Sequence, residues 1–462
     1  MSHNRSVMLV GFGSVEFKEF AKADVNVQVW IQAMQRGDRF VAEGVETYPH
    51  FSTVRCEHTA PLRPDVPNGL MIDLYKEAFP AFRRHFHRIA FARKNRLKSW
   101  GHVDCLFHIA ANFFFDLLKR HKIETVIFSN FPHEGSLIIL YHLAKALGIE
   151  TILAMQSNFP SQLWIVRDIR DFGHFQTTNG NGQPLELPTA PETPFYMNRG
   201  GKLKKSFVSY AYISLESLKL AAKLLTLYFV IRPHALERNL NRFFHAIEKA
   251  NGGHPNPTAE ENVSLDESFV YFPLHLQPEL TTDTWGYEYG DQLLALEALS
   301  RNLPAGMKIY VKENPMQTTF MREESFFRRL KAIPNAFYVS SEISSFELIR
   351  RCSFLATISG TAGWEACLLG KGVVVFGVTW YTKIDGVFEW SDPDCIKKAI
   401  NHRLDAAKLA ATFYEVSRAL YPGTVDRDYE SIVPDYNVQQ EAHRAVSSLV
   451  SVLNDGRSGS VQ

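Results

Sequence analysis

The segment Ala356-Thr357-Ile358-Ser359-Gly360-Thr361-Ala362-Gly363-Trp364-Glu365-Ala366 runs an apolar strand into an amphipathic helix through a turn of small residues. That is the chemistry of an anion site, and phosphate is the anion it suits. Gly360 and Gly363 let backbone approach closely, free amides at a helix start donate hydrogen bonds, and the helix dipole favours negative charge. Ser359 and Thr361 add hydroxyls, Ala362 completes the small-residue run, and Glu365, one turn on, is placed to accept hydrogen bonds from a ribose. A plain tight turn with Thr361 as N-cap fits the same residues.

Two further segments read as ends of neighbouring strands. Ile309-Tyr310-Val311-Lys312-Glu313-Asn314-Pro315 ends an apolar strand on Lys312, Glu313 and Asn314. Lys312 is expected to neutralise a phosphate; the plainer alternative is an exposed strand-end lysine. Phe272 to Thr282 clusters polar groups without a solvent-face rhythm, and Gln277 and Glu279 are favoured there as ligand contacts. His275 reads as a satisfied core histidine. No His and carboxylate set has metal-ligand spacing, so no metal is expected.

These motifs need a frame that brings strand ends together. Two regions alternate short apolar strands with amphipathic helices, which predicts an α/β chain of two Rossmann-like doubly wound domains facing a cleft. In the first region strands are expected at Val7 to Phe12, Thr125 to Ser129 and Thr151 to Met155, and helices at Ala111 to Lys119 and Leu137 to Leu147. In the second, strands are expected at Phe269 to Leu274, Lys308 to Lys312, Ala336 to Val339, Phe354 to Ile358 and Val373 to Phe376. Helices at Asp291 to Ser300, Glu323 to Leu330, Ser345 to Arg351 and Thr361 to Leu369 fill the intervals. The predicted division is an N-terminal domain at 1–200, a helical linker or insertion at 201–257, a C-terminal domain at 258–435, and a final helix and tail at 436–462.

Bulk composition agrees with a large folded protein: 462 residues, 45% hydrophobic and 21% charged. Lys and Arg (50) balance Asp and Glu (49), so nothing attracts nucleic acid in general, and no nucleic acid partner is expected. Five scattered cysteines and a start without signal-peptide character point to the cytoplasm. Phe207 to Ile231 is apolar but broken by Glu216, Lys219 and Lys223, so it is read as non-spanning. It is expected either to be buried between domains or to touch the inner face of a membrane, with Lys202, Lys204 and Lys205 meeting anionic lipid.

The order of Phe-Pro-Leu-His-Leu-Gln-Pro-Glu (272–279), Val-Lys-Glu-Asn-Pro (311–315) and Thr-Ile-Ser-Gly-Thr-Ala-Gly-Trp-Glu-Ala (357–366), with Gly370-Lys371 following, resembles the capsule and surface polysaccharide biosynthesis proteins. These are a glycosyltransferase-like family of GT-B architecture related to capsule Kdo transferases. The resemblance covers the second half. It implies a nucleotide sugar, CMP- or UDP-linked, as co-substrate with no other cofactor, and a glycan or glycolipid acceptor. Donor contacts then fall on Gln277, Glu279, Lys312, Asn314, Ser359, Gly360, Thr361, Ala362, Gly363 and Glu365. Asn314 stands where the family's Lys-x-His-Pro motif carries histidine; asparagine donates hydrogen bonds but holds no positive charge. Gly372 stands where proline is common.

Phe128-Ser129-Asn130-Phe131-Pro132-His133-Glu134-Gly135 is similar to the family's Pro-His-Glu segment and makes the first domain the acceptor and catalytic side. His133 and Glu134 are the candidates for base or nucleophile; helix N-terminal capping is the alternative for Glu134. Gly11-Phe12-Gly13 reads as a loop approaching either sugar, with Glu16 in reserve. The function implied is sugar transfer to a surface polysaccharide. Nucleotide-sugar epimerase or hydrolase, polyol-phosphate transferase and non-catalytic assembly protein are the alternatives.

Overall fold

The computed structural model describes residues 3–33, 42–54, 56, 65–86, 100–175, 185–191, 219, 222, 259, 263–317, 322, 324–426, 433 and 435–455. Apart from Lys219 and Ala222, the predicted linker at 201–257, with the Phe207 to Ile231 stretch, lies outside the described residues.

In chain order the first-region strands are β1 (His3–Phe12), β2 (Val25–Gln32), β3 (Glu46–Pro49), β4 (Thr125–Phe128), β5 (Glu150–Gln156) and β6 (Gln162–Val166). There follow β7 (Phe269–Pro273), β8 (Lys308–Lys312), β9 (Ala336–Tyr338), β10 (Phe354–Thr357), β11 (Val373–Val375), β12 (Val387–Glu389) and β13 (Leu420–Pro422). They form a seven-stranded sheet ordered β13-β6-β5-β4-β1-β2-β3 and a six-stranded sheet ordered β12-β11-β10-β7-β8-β9. The second sheet is parallel throughout. In the first, β3 to β5 run parallel, β6 is antiparallel to β5, and β13 is antiparallel to β6.

Alternation along the strands explains why both sheets are doubly wound. Met8 and Val10 of β1 join Phe107, Phe114 and Ile139 in one core, while Val7 and Leu9 join Phe17, Phe20 and Leu449 in another. A strand covered by helices on both faces must be apolar on both, hence the unbroken run Val7 to Val10. In the second sheet Val270 and Phe272 face Leu296 and Leu299, while Phe269 and Tyr271 face the core that continues into the first domain.

The eight expected strands are present, and β2, β3, β6, β12 and β13 add to them. The predicted α/β class of two Rossmann-like domains stands. One boundary differs: the range 258–435 expected for the second domain includes β13, which pairs with β6 of the first sheet through Leu420↔Trp164 and Tyr421↔Leu163. The chain therefore returns before residue 420. A three-residue strand ending in Pro422 has no periodicity to announce itself, and its identity comes from the partner strand. The helix Val438–Asp455 then packs on the helix Ser14–Lys22, burying Ala445, Leu449 and Val452.

Aromatic contacts join the domains. Trp285 lies against Phe131 and Phe172 (ring centroids 5.7 and 4.8 Å), and Trp164 stacks with Trp380 at 6.0 Å. Arg84 Nε pairs with buried Asp283 at 2.7 Å. Among the described residues no helix is long and apolar enough to cross a membrane.

Candidate functional site

At the carboxyl ends of β7, β8 and β10 a cavity of about 640 Å³ opens between the domains. The first domain contributes the Met155 to Asn158 loop, Trp164 and Phe172; the second contributes His275, Glu279, Glu313, Asn314 and most of the 359–365 turn. This is the position where open parallel sheets take ligands. A second interdomain cavity of about 710 Å³ involves Tyr141, His142 and Tyr287, and its charged side chains include the pairs Lys145–Asp168 and Arg84–Asp283.

The turn is locked before its helix begins. The Ser359 amide donates to His275 Nε2 (3.2 Å) and its hydroxyl to the Thr281 carbonyl (2.7 Å). The Gly360 amide donates to Thr357 Oγ1 (3.2 Å), and the Tyr381 hydroxyl donates to the Gly360 carbonyl. Gly360, not Thr361, is the N-cap, and it makes no side-chain cap; Thr361 is the first residue of the helix Thr361–Leu368. The Gly363 amide turns back to the Gly360 carbonyl. Among the described residues the amides of Thr361 and Ala362 meet no acceptor, so these two, with the Thr361 hydroxyl, face the cleft as donors.

This redistributes the expected roles within the turn. Ser359 lines the cleft, but both of its donors are engaged inside the protein. Gly360 is required because a Cβ there would sit 2.9 Å from His275 Nε2. Gly363 does not line the cleft: it is buried in the helix, where a Cβ would run into the Tyr381 hydroxyl. Its smallness serves packing and not the approach of an anion.

Glu365 lines the cavity, and burial pushes its carboxyl up to about 7. Asn314 lines the rim, its Oδ1 accepting from the Met316 amide (2.9 Å), which leaves the NH₂ to point elsewhere. Glu279 lines the wall at the head of the short helix Leu280–Asp283.

Lys312 and Gln277 lie behind the wall. Lys312 Nζ donates to the Ile343 carbonyl (2.5 Å) and Ser345 Oγ (3.2 Å), and burial lowers its pKa. It was expected to neutralise phosphate; instead it ties β8 to the helix Ser345–Arg351. Gln277 Nε2 donates to the Gly290 carbonyl, while its Oε1 accepts from Gln292 (3.0 Å) and Arg322 (3.4 Å). Arg322 is 3% exposed and also binds Glu313 (2.7 Å) and the His275 carbonyl (3.1 Å). Among the described residues lining the cleft there is no Lys or Arg.

On the first-domain edge, His133 and Glu134 follow β4 but stand outside the cavity lining. His133 Nδ1 is 2.8 Å from the Phe131 carbonyl. Glu134 Oε2 is 2.8 Å from Nε2 of His50, the first residue of the helix His50–Val54 after β3. Gly11, at φ +80°, leaves room for Ser129, whose Oγ a Cβ would overlap. Glu16 is 6% exposed and not solvated surface. Among the described residues no group of three His, Cys, Asp or Glu is placed to hold a metal ion.

Several residues in or around the candidate site carry no local sequence signal. His50 and Arg322 act through partners 84 and 9 residues away, and the Ser157 and Asn158 loop becomes cleft wall only because β6 folds back on β5. His275 was legible as a core histidine, and the structure gives it a specific partner in the turn.

Residues 284–416 match the sequence model of a family described as capsule polysaccharide biosynthesis protein. That range holds the second and third motifs; the first, at 272–279, precedes it. No curated protein matches the chain. Among solved structures it is similar to the β-Kdo 2,7 transferase KpsC of Thermosulfurimonas dismutans, at 12% identity over 74% of this chain and 89% of that one, TM-score 0.32. It is also similar to the UDP-GlcNAc 2-epimerase of Methanocaldococcus jannaschii (11%, 96% and 99%, TM-score 0.24). A UDP-forming α,α-trehalose-phosphate synthase of Burkholderia vietnamiensis gives 12%, 98% and 100%, TM-score 0.28. The architecture itself is read from the two sheets. The second and third motifs thus fall within residues 284–416, the stretch that is similar to capsule polysaccharide biosynthesis proteins by sequence, and that stretch is set in a frame of two Rossmann-like domains.

Proposed function

We propose that this protein is a GT-B-type glycosyltransferase that moves a sugar from a nucleotide-activated donor to a capsule or lipopolysaccharide-type acceptor. The observation that carries the reading is the pair of free helix-start amides at Thr361 and Ala362, in an interdomain cleft that also holds the Glu365 carboxyl. Donor phosphate docks on those amides and the Thr361 hydroxyl, where fixed dipoles stabilise the charge that grows on the leaving group. Glu365 accepts from the ribose. Glu279 and Asn314, on the same wall, hold the rest of the donor. The acceptor enters from the first-domain side, where Glu134, held by His50, takes the proton of the attacking hydroxyl. A glycolipid acceptor would bring the protein to the inner face of the membrane.

The test is a thermal-shift and calorimetric panel of CMP-, UDP-, GDP- and dTDP-linked compounds on the full chain. One class should stabilise the protein, since a ligand bound only to the native state raises the unfolding temperature. Stabilisation by none sinks the reading. Product analysis then separates transfer, which needs acceptor, from epimerisation, which converts donor alone.

A further inference from the structure

The residue with the greatest leverage on the anion turn makes none of the contacts assigned to the donor. His275 is 6% exposed and fixed at both backbone ends by one side chain: Gln292 Oε1 accepts from its amide (2.8 Å), and Gln292 Nε2 donates to its carbonyl (3.2 Å). Arg322 donates to the same carbonyl. The ring is thereby aimed across the sheet at β10, where Nε2 lies 3.2 Å from the Ser359 amide and 3.3 Å from Thr357 Oγ1.

A backbone amide can only donate, so Nε2 is the acceptor and Nδ1 carries the proton. Nδ1 is buried without a hydrogen-bond partner among the described residues. The ring must be neutral for this, and burial holds its pKa down at about 4.

We infer that His275 is the positioning residue of the anion turn: by accepting the Ser359 amide it fixes the turn so that the amides of Thr361 and Ala362, one and two residues beyond Gly360, receive the phosphate. Without that acceptor the Ser359 amide is free to compete for the anion, and the pitch of the helix start is no longer set. The inference rests on the reading of the 359–365 turn as the donor phosphate site.

The experiment titrates CMP and UDP into the full chain and into His275→Gln, His275→Leu and Val311→Ala. Glutamine can carry its carboxamide oxygen to the place of Nε2, leucine cannot accept, and Val311 is a fully buried residue of β8 outside the cleft. Expected are affinity within about threefold of wild type for H275Q and a loss of about tenfold or more for H275L. V311A should lower the melting temperature with affinity unchanged. If H275L does not fold, His275→Asn, which stays polar but falls short of the amide, is read in its place. Wild-type affinity in H275L, or an equal loss in V311A, overturns the inference. If the wild type binds neither nucleotide, GDP and dTDP are titrated in their place, and binding of none of the four means that the donor-site reading fails. The link from His275 to Ser359 is then decided by ¹⁵N-histidine NMR, with the His275 signals assigned by their loss in H275Q: protonated Nδ1 and a ring neutral at pH 5 support it, protonated Nε2 overturns it.

Discussion

The two domains meet the cleft with edges of unlike construction. On the second-domain edge, three strand ends are cross-linked before any ligand arrives: His275 to Ser359, Gln277 to Gln292 and Arg322, Lys312 to Ile343 and Ser345. On the first-domain edge the candidate groups pair locally, Glu134 with His50 and His133 with the Phe131 carbonyl, and neither candidate lines the cavity. A site that must present fixed dipoles to a phosphate gains from rigidity, because reorientation at the moment of reaction weakens electrostatic stabilisation. A site that must take an acceptor and release a product gains from an edge that completes itself on binding.

That contrast makes ordered predictions. Glu134→Gln should have the largest effect: if the first-domain edge supplies the base, turnover falls about 10²- to 10⁴-fold with nucleotide affinity unchanged, measured by initial rates beside calorimetry. His133→Ala with the greater loss would reverse the assignment. Arg322→Ala comes next. It strips a buried cation from Glu313, Gln277 and the His275 carbonyl, and should cost about 3–5 kcal/mol in urea unfolding. A cost under about 1 kcal/mol would show that the second-domain edge is not held together as described.

Glu365→Ala should weaken nucleotide binding about 10- to 100-fold. Its pH dependence has a definite sign: burial raises this carboxyl to about 7, the carboxylate is the better acceptor for ribose hydroxyls, and so wild-type affinity should climb as pH rises through about 7. In E365Q that rise should vanish; a rise that persists points to another group. The smallest effect is expected for Lys312→Met, with nucleotide affinity within about twofold of wild type and a lower melting temperature, because the ammonium serves Ile343 and Ser345. A tenfold loss of affinity would return Lys312 to the donor site.

Legibility followed the same division. The strands from β7 to β11 were readable because each is a short apolar run closed by polar or small residues, and a parallel sheet buried on both faces demands that pattern. The strands β3, β6 and β13 were not, since each takes its identity from a neighbour: Tyr421 is strand only because Leu163 lies opposite. Within the site, Glu365 and Asn314 were placed at the cleft by motif alone. Lys312 and Gln277 were expected there by the same motifs and lie behind the wall, because facing into a cleft or away from it is a matter of side-chain direction, which alternates along a strand and is set by partners in the loop that follows one.

Residue types and their order were enough to establish two α/β domains, a turn of small residues between a strand and a helix, and the likeness to capsule polysaccharide proteins, because each is encoded within a few consecutive residues. The tertiary structure alone decided which donors of that turn are free. His275, Thr281 and Tyr381 reach it from elsewhere in the chain and, with Thr357 at the end of β10, occupy the donors or acceptors of Ser359 and Gly360. A hydrogen-bonding group is available to a ligand only when nothing else has claimed it, and that depends on contacts between residues far apart in sequence.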